Sequence, residues 1–378
     1  MAKDNISPEE RARRIKEMEA SDVYDPSNPK NLYDNDMVEA ASGDQLLGRG
    51  APQADGSLPK LRMGIVGHGF VGQAVDYAFT HSEVEKFFVD PKYGTTIDDL
   101  IEWSPHLCFV CAPTPMSDNG FVDASIVEDA VLKLFEHTDG AVIVKSTITP
   151  DVVDRLANSL YDEDVKRLVY NPEFLTESNA KEQFVNAPYH ILGGHPEATG
   201  DVEHIYKMFS LCSAQKYYHM SAPEASFVKY GVNSFLATKV TFFNQLYDAV
   251  NKFGCNWPGV AVGISADPRI GSGHTKVPGY DGKRGFGGAC FPKDIKAFNL
   301  FDPESLTILA EVGKINNNYR KVYDLDEREK ANNISFDDKS TELMEQHGLL
   351  DTSAEDDVDG DLFDGEVYVD NGQTEEKQ

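Results

Sequence analysis

The chain has 378 residues, 40% hydrophobic and 10% aromatic, enough for two packed domains. Of its net charge of −28, nearly half lies in 335–378, which holds 15 Asp/Glu against Lys339 and Lys377. An acidic chain with no basic stripe argues against a nucleic-acid partner, and no run approaches the roughly 18 apolar residues of a membrane span.

The start, MAKDNISPEERARRIKEMEA, is charged and lacks the apolar core of a secretion signal. Residues 1–60 are polar and without sustained periodicity, so they read as a disordered arm. From Leu61 the pattern changes. LRMGIV reads as a strand, GQAVDYAF as a helix, KFFVD as a strand, IDDLI as a helix and HLCFVCA as a third strand. ASIVEDAVLKLFE, AVIVKST, DVVDRLANSLY and RLVYNP continue the alternation to about residue 220. Continuous apolar strands in turn with helices predict a doubly wound parallel sheet of the Rossmann type.

At Ser221 the texture becomes helical. Ser221-Ala-Pro-Glu224 is a capping box with proline in the first turn, and the pattern it opens runs to about Phe253. WPGVAVGIS, the stretch after Pro292, and about Pro303 to Tyr319 supply further helices, giving an all-helical second domain over 221–323. Residues 324–378 read as an acidic, largely disordered tail.

Gly67-His68-Gly69-Phe70-Val71-Gly72 follows a strand and opens a helix, as a dinucleotide-binding turn must. Gly67 permits the tight turn, Gly69 admits the pyrophosphate, and Gly72 lets helix pack on strand. Asp90 ends the second strand where a ribose-binding carboxylate belongs, which favours NAD over NADP. His68 is assigned no chemistry.

Five cysteines at irregular spacing read as reduced thiols, which fits a cytoplasmic location. Cys108 and Cys111 point to opposite faces of one strand and make a poor metal or redox pair, so no metal is expected. Cys290 is different. In Arg284-GFGGA-Cys290-FPKD, Pro292 fits a first helical turn, so the thiol stands at a helix N-terminus beside Lys293, where a lowered pKa is expected. Asp294, one turn on, is placed to act as a base or to orient water.

GFGGACFPKD resembles the active-site signature of the UDP-glucose/GDP-mannose dehydrogenase family. GIVGHGFVGQAV, CAPTP, VIVKSTITP, YNPEFLTES, KYGVNSFLATK and ADPRIG match in that family's order, between about Lys60 and Tyr323. The resemblance implies twofold oxidation of a nucleotide sugar's C6 alcohol, with NAD as cofactor and a covalent thioester on Cys290. It implies that Lys229 and Asn233 stabilise an oxyanion, and that Glu173, Asp294 and Thr147 handle protons and water. Phe70, Val71, Pro113, Thr114 and Thr147 match cofactor contacts, with Glu177 near both cofactor and sugar. Phe174, Leu175, Phe286 and Gly287 match substrate contacts. Arg269 matches a residue reaching the neighbouring subunit's substrate, which implies a homodimer through the long helix.

Members of that family carry a C-terminal nucleotide-binding domain, which the composition after Tyr323 is not expected to form. The loop 271–284 also departs from the family's usual sequence. UDP-glucose is the favoured substrate, with GDP-mannose or a UDP-N-acetylhexosamine as enzymatic alternatives. A degenerate, binding-only relative is the alternative from another class.

Overall fold

The computed structural model describes residues 60–337, apart from 161; the arm 1–59 and residues 338–378 lie outside the described residues. Seven strands, β1 (Leu61–Val66), β2 (Val84–Val89), β3 (Leu107–Val110), β4 (Ala141–Val144), β5 (Leu168–Tyr170), β6 (Tyr189–Gly194) and β7 (Lys216–Met220), form one sheet. Their order is β2-β1-β3-β4-β5-β6-β7.

Helices α1 (Phe70–Ala78), α2 (Ile97–Glu102), α3 (Ser125–His137), α4 (Pro150–Asn158), α5 (Asp162–Val165), α6 (Ala180–Val185) and α7 (Pro196–Phe209) follow the strands. Every residue of β3 and β4 is buried, the pattern of strands covered on both faces. Alternation then sorts the side chains. Val66, Cys108, Val110, Val142, Val144 and Tyr170 pack under α3 and α4, while Met63, Ile65, Phe109, Ile143 and Leu192 pack under α1, α6 and α7.

The sheet departs from the expected all-parallel form in one respect. Strands β1 to β5 are parallel, but β5 pairs with β6 antiparallel, and β6 and β7 run together in the reverse direction. The segment 171–188 is spent on a loop at the carboxyl end of β5 and on the six-residue α6. That segment returns the chain with β6 antiparallel to β5.

The predicted long helix is α8 (Ala222–Lys252), 31 residues or roughly 46 Å long. Ser221 Oγ accepts from the Glu224 N–H and the Glu224 carboxylate accepts from the Ser221 N–H, closing the capping box. Its first turns pack on the sheet domain through Ala222 and Ala225, and Ser226 Oγ donates to the Ile148 carbonyl at 2.7 Å. Farther along, Tyr230 and Ala237 join Phe286 and residues of α10 (Phe291–Phe301) and α11 (Thr307–Arg320) in a separate core. Between α8 and α10 lies α9 (Trp257–Ser265). One rigid rod thus belongs to both layers.

The ordered body does not stop at Tyr323, where an acidic tail was expected to begin. Asp326 caps a short helix, α12 (Glu327–Ala331), through another capping box, with Glu329. Beyond it, Ile334 and Phe336 are buried against Met116 and Leu325. The Asn333 amide donates to the Met116 carbonyl at 3.0 Å, and Met116 N–H donates to the Asn332 carbonyl at 3.2 Å. Two apolar residues and a backbone clamp anchor this stretch in spite of its charge.

Ser221→Ala removes the acceptor that caps α8 and is expected to lower stability by about 1 kcal/mol, measured by denaturant unfolding. An unchanged midpoint would show that packing alone fixes the start of α8.

Candidate active site

The glycine turn sits between β1 and α1. Gly67 adopts φ +85°, and a Cβ there would lie 2.6 Å from the Cys111 carbonyl oxygen. A Cβ on Gly72 would lie 2.1 Å from the Gly67 oxygen, so helix and strand meet there with no room for a side chain. Gly69 instead faces open space and is the N-cap of α1, with no side chain capping the helix. Uncapped N–H groups beside an open floor are what a pyrophosphate requires.

Asp90 stands just past β2. Its carboxylate accepts from the His68 N–H at 2.7 Å and from the Lys92 N–H at 3.0 Å. Burial alone would raise the Asp90 pKa, but these backbone donors outweigh it and hold the carboxyl below its ordinary value. Lys92, a conceivable partner for a 2′-phosphate, donates its ammonium to the His68 carbonyl at 2.5 Å. His68 is a structural member of the turn. Its ring contacts the Tyr93 hydroxyl at 2.8 Å and Asp76 at 3.3 Å and packs on Phe88.

From this turn a cavity of about 580 Å³ runs to Cys290. Gly67, Gly69, Phe70, Val71, Asp90, Pro113, Thr114, Thr147, Glu173 and Cys290 all line it. The wall also includes three polar residues to which the sequence motifs assign no role, Lys145, Ser146 and Asn332. Lys145 had a visible signal, a cation at the end of the apolar run AVIVK. It is fully buried, donates to the Asn171 carbonyl and side-chain oxygens at 3.1 and 2.9 Å, and is lowered by burial to about 8.

Cys290 is the N-cap of α10, and the Asp294 N–H returns to its carbonyl at 2.8 Å. Two buried chains of contacts surround the thiol. Lys229 Nζ donates to the Glu173 carbonyl at 2.5 Å and approaches the Glu173 carboxylate at 3.3 Å. One turn along α8, Asn233 Nδ2 donates to Asp294 Oδ2 at 2.6 Å, and Lys293 Nζ donates to Asp294 Oδ1 at 2.6 Å. Lys229, Asn233, Glu173, Lys293 and Asp294 are all buried.

The expected lowering of the thiol pKa does not occur. Burial pushes Cys290 up to about 11, Asp294 adds to the rise, and Lys229 offsets part of it. Lys293, expected to lower the thiol's pKa, is committed to Asp294 and has a small effect. Burial would lower Lys229, but Glu173, Asp294 and Cys290 outweigh it and hold the ammonium above its ordinary pKa.

Other expected contacts stand apart. Phe174 and Leu175 line a neighbouring cavity of about 430 Å³, which shares Lys145 and Glu173 with the first. Phe286 is a core residue whose backbone is clamped by the Asn316 amide, 2.7 Å to its N–H and 3.0 Å to its carbonyl. Gly287 abuts Arg320 and Glu329 rather than the cavity. Glu177 is exposed beside Arg328 at 3.6 Å. Arg269 is exposed and paired with Asp267 at 2.6 Å. Among the described residues, no group of three or more His, Cys, Asp or Glu is placed to hold a metal ion.

Two family models match the chain. The NAD binding domain of the UDP-glucose/GDP-mannose dehydrogenase family matches residues 94–210, and its central domain matches 223–318, together more than half of the chain. The first match begins beyond Asp90, so the glycine turn rests on the geometry above. A UDP-glucose 6-dehydrogenase of Rickettsia bellii is 32% identical over 194 residues, 50% of this chain and 44% of the relative. A second, YwqF of Bacillus subtilis, is 30% identical over 226 residues, 57% of this chain and 49% of the relative. The chain thus spans about half the length of the curated relatives it matches. Among solved structures, a UDP-glucose dehydrogenase from Pyrobaculum islandicum superposes with a TM-score of 0.56 at 24% identity over 68% of each chain. A UDP-D-ManNAc dehydrogenase from Pyrococcus horikoshii gives 0.58 at 20% identity over 69% of each. Both are likenesses of fold. The chain belongs to the UDP-glucose/GDP-mannose dehydrogenase family, and its sheet domain is that family's NAD-binding domain.

Proposed function

We propose that the chain oxidises the C6 alcohol of a nucleotide sugar twice, to the carboxylate, with Cys290 holding the intermediate covalently. The carrying observation is that the glycine turn and Cys290 line one cavity, with Lys229, Asn233, Glu173 and Asp294 gathered around the thiol. UDP-glucose to UDP-glucuronate is the favoured conversion, supported by relatives bearing that activity in their names. GDP-mannose or a UDP-N-acetylhexosamine is the alternative.

Bound NAD supplies the hydride acceptor for both oxidations. The first oxidation gives an aldehyde. The Cys290 thiol gives its proton to Glu173 or Asp294 as Sγ bonds to the aldehyde carbon, and the C=O electron pair moves onto oxygen, where the Lys229 ammonium and the Asn233 amide meet the charge. Loss of hydride from that thiohemiacetal leaves a thioester on Cys290. Water, deprotonated by Asp294 or Glu173, then adds to the thioester carbon, the C–S bond breaks, and the thiolate recovers its proton as the acid departs.

The purified chain is expected to reduce about two NAD per sugar consumed, and Cys290→Ala to form no acid, since a single nucleophile carries both later steps. A panel of UDP- and GDP-sugars with NAD, read at the reduced cofactor's absorbance, tests this. No reduction with any of them, by a folded protein that binds NAD, would sink the reading.

The buried thiol also makes a pH prediction. With a raised pKa, Cys290 is protonated in the substrate-free site at neutral pH, so its alkylation by iodoacetamide should climb with pH until about 11. A plateau reached below neutral pH would show instead that the helix start governs the thiol.

The reading includes a homodimer through α8. Phe235 and Phe242, 69% and 56% exposed, lie seven residues apart and share one face of that helix. Arg269, on an exposed loop, would then reach toward the partner's substrate. Replacing both phenylalanines by Glu is expected to give a monomer in sedimentation; a dimer that persists would place the interface elsewhere.

A further inference from the structure

The stretch following α11 has no assigned part in the chemistry, yet it carries the most completely buried carboxylate described in the chain. Glu329, on α12, is 0% exposed. Its Oε1 accepts from Arg320 Nη2 at 2.7 Å and from the Gly288 N–H at 3.1 Å, and its Oε2 accepts from the Asp326 N–H at 2.8 Å. Arg320, 1% exposed, closes the cluster by donating to Asp281 at 2.7 Å.

These contacts bear on the loop that presents the thiol. Gly288 precedes Cys290 by two residues and adopts φ +80°. A Cβ on Gly287 would lie 2.2 Å from Arg320 Nη2 and 2.3 Å from Glu329 Oε1, so the ion pair touches the loop backbone itself. Upstream, the Asn316 amide clamps Phe286. Downstream, α10 begins. Between those two fixed points, Glu329 is the side chain that holds the backbone at Gly288. The same stretch then reaches the cofactor cavity, where Asn332 forms part of the wall.

We infer that Glu329 is the positioning residue for Cys290: anchored by Arg320, it fixes Gly288 and so sets where the thiol stands in the cavity. The inference rests on Cys290 being the nucleophile. A segment outside both matched domains, acidic in composition, thereby completes the site. The buried pair selects this loop conformation because an unpaired carboxylate or guanidinium at that depth is strongly disfavoured.

Glu329→Ala in the full chain is expected to lower sugar-dependent NAD reduction by about 10- to 100-fold, the effect of shifting a reacting group by about 1 Å. The loss should fall in kcat rather than in KM for NAD. The iodoacetamide profile of Cys290, followed by mass spectrometry of its peptide, should move to lower pH, because a released loop exposes the thiol. Lys229, Glu173, Lys293 and Asp294, the charged groups facing it, are untouched by the change. Glu329→Gln returns an acceptor to the Gly288 N–H and should restore most of the wild-type profile. A folded Glu329→Ala protein with wild-type kcat and profile overturns the inference. Should that variant not fold, hydrogen exchange in the wild-type chain decides: Gly288 should become exchangeable together with 327–331, and independent exchange overturns the inference. The alkylation profile is readable whether or not any sugar is oxidised. Failure of the nucleophile reading would instead appear as Cys290→Ala still forming acid, and failure of the dehydrogenase reading as no NAD reduction with any sugar of the panel.

Discussion

The contact between Lys229 and Glu173 ties the two layers of the protein into one site. Glu173 sits on the loop after β5, so its position is set by the sheet; Lys229 sits on α8, whose first turns lie against that sheet and whose later turns belong to the helical core. Both charges are buried, and each would be costly alone: removing one partner of such a pair costs roughly 3–5 kcal/mol. The pair therefore constrains the rotation and height of α8 relative to the strand ends. Asn233, one turn farther, follows without further specification, and it meets Asp294 on α10. Geometry that chemistry needs is enforced here by an electrostatic condition on folding.

The same condition explains why the thiol is quiet. Glu173 and Asp294 are matched by Lys229 and Lys293, so little net positive charge is left to favour a thiolate, and burial then dominates. A helix N-terminus favours an anion by about 0.3–1 kcal/mol at an exposed site. That is too little against the desolvation of a buried sulfur. Helix position alone was thus a poor guide to the state of Cys290, though a good guide to its place.

Much of the site could be read in the sequence because local rules fix it. The strand–glycine–helix order dictated the cofactor turn, and the Ser221 capping box fixed the start of α8, placing Lys229 and Asn233 on one face. What could not be read depends on contacts between distant segments. Continuously apolar strands carry no mark of direction, so the reversal at β6 was invisible. Phe286 is a core side chain because Asn316 turns its backbone, which spacing does not reveal. Asp326-x-x-Glu329 repeats the pattern of Ser221-x-x-Glu224, but acidic neighbours hid it, and its meaning depends on Arg320.

The cofactor half follows a different logic. Asp90 is held by two backbone donors of the turn it serves, so its orientation is fixed before any ligand arrives. The Lys92 ammonium, drawn to the His68 carbonyl, reinforces that turn rather than standing free for a second phosphate. A ribose diol can donate to a carboxylate so placed, whereas a 2′-phosphate would meet a fixed negative charge in a partly buried cleft. In the proposed reading, selection for NAD over its phosphorylated form has the same physical origin as the order around Cys290: a charge immobilised before the ligand binds.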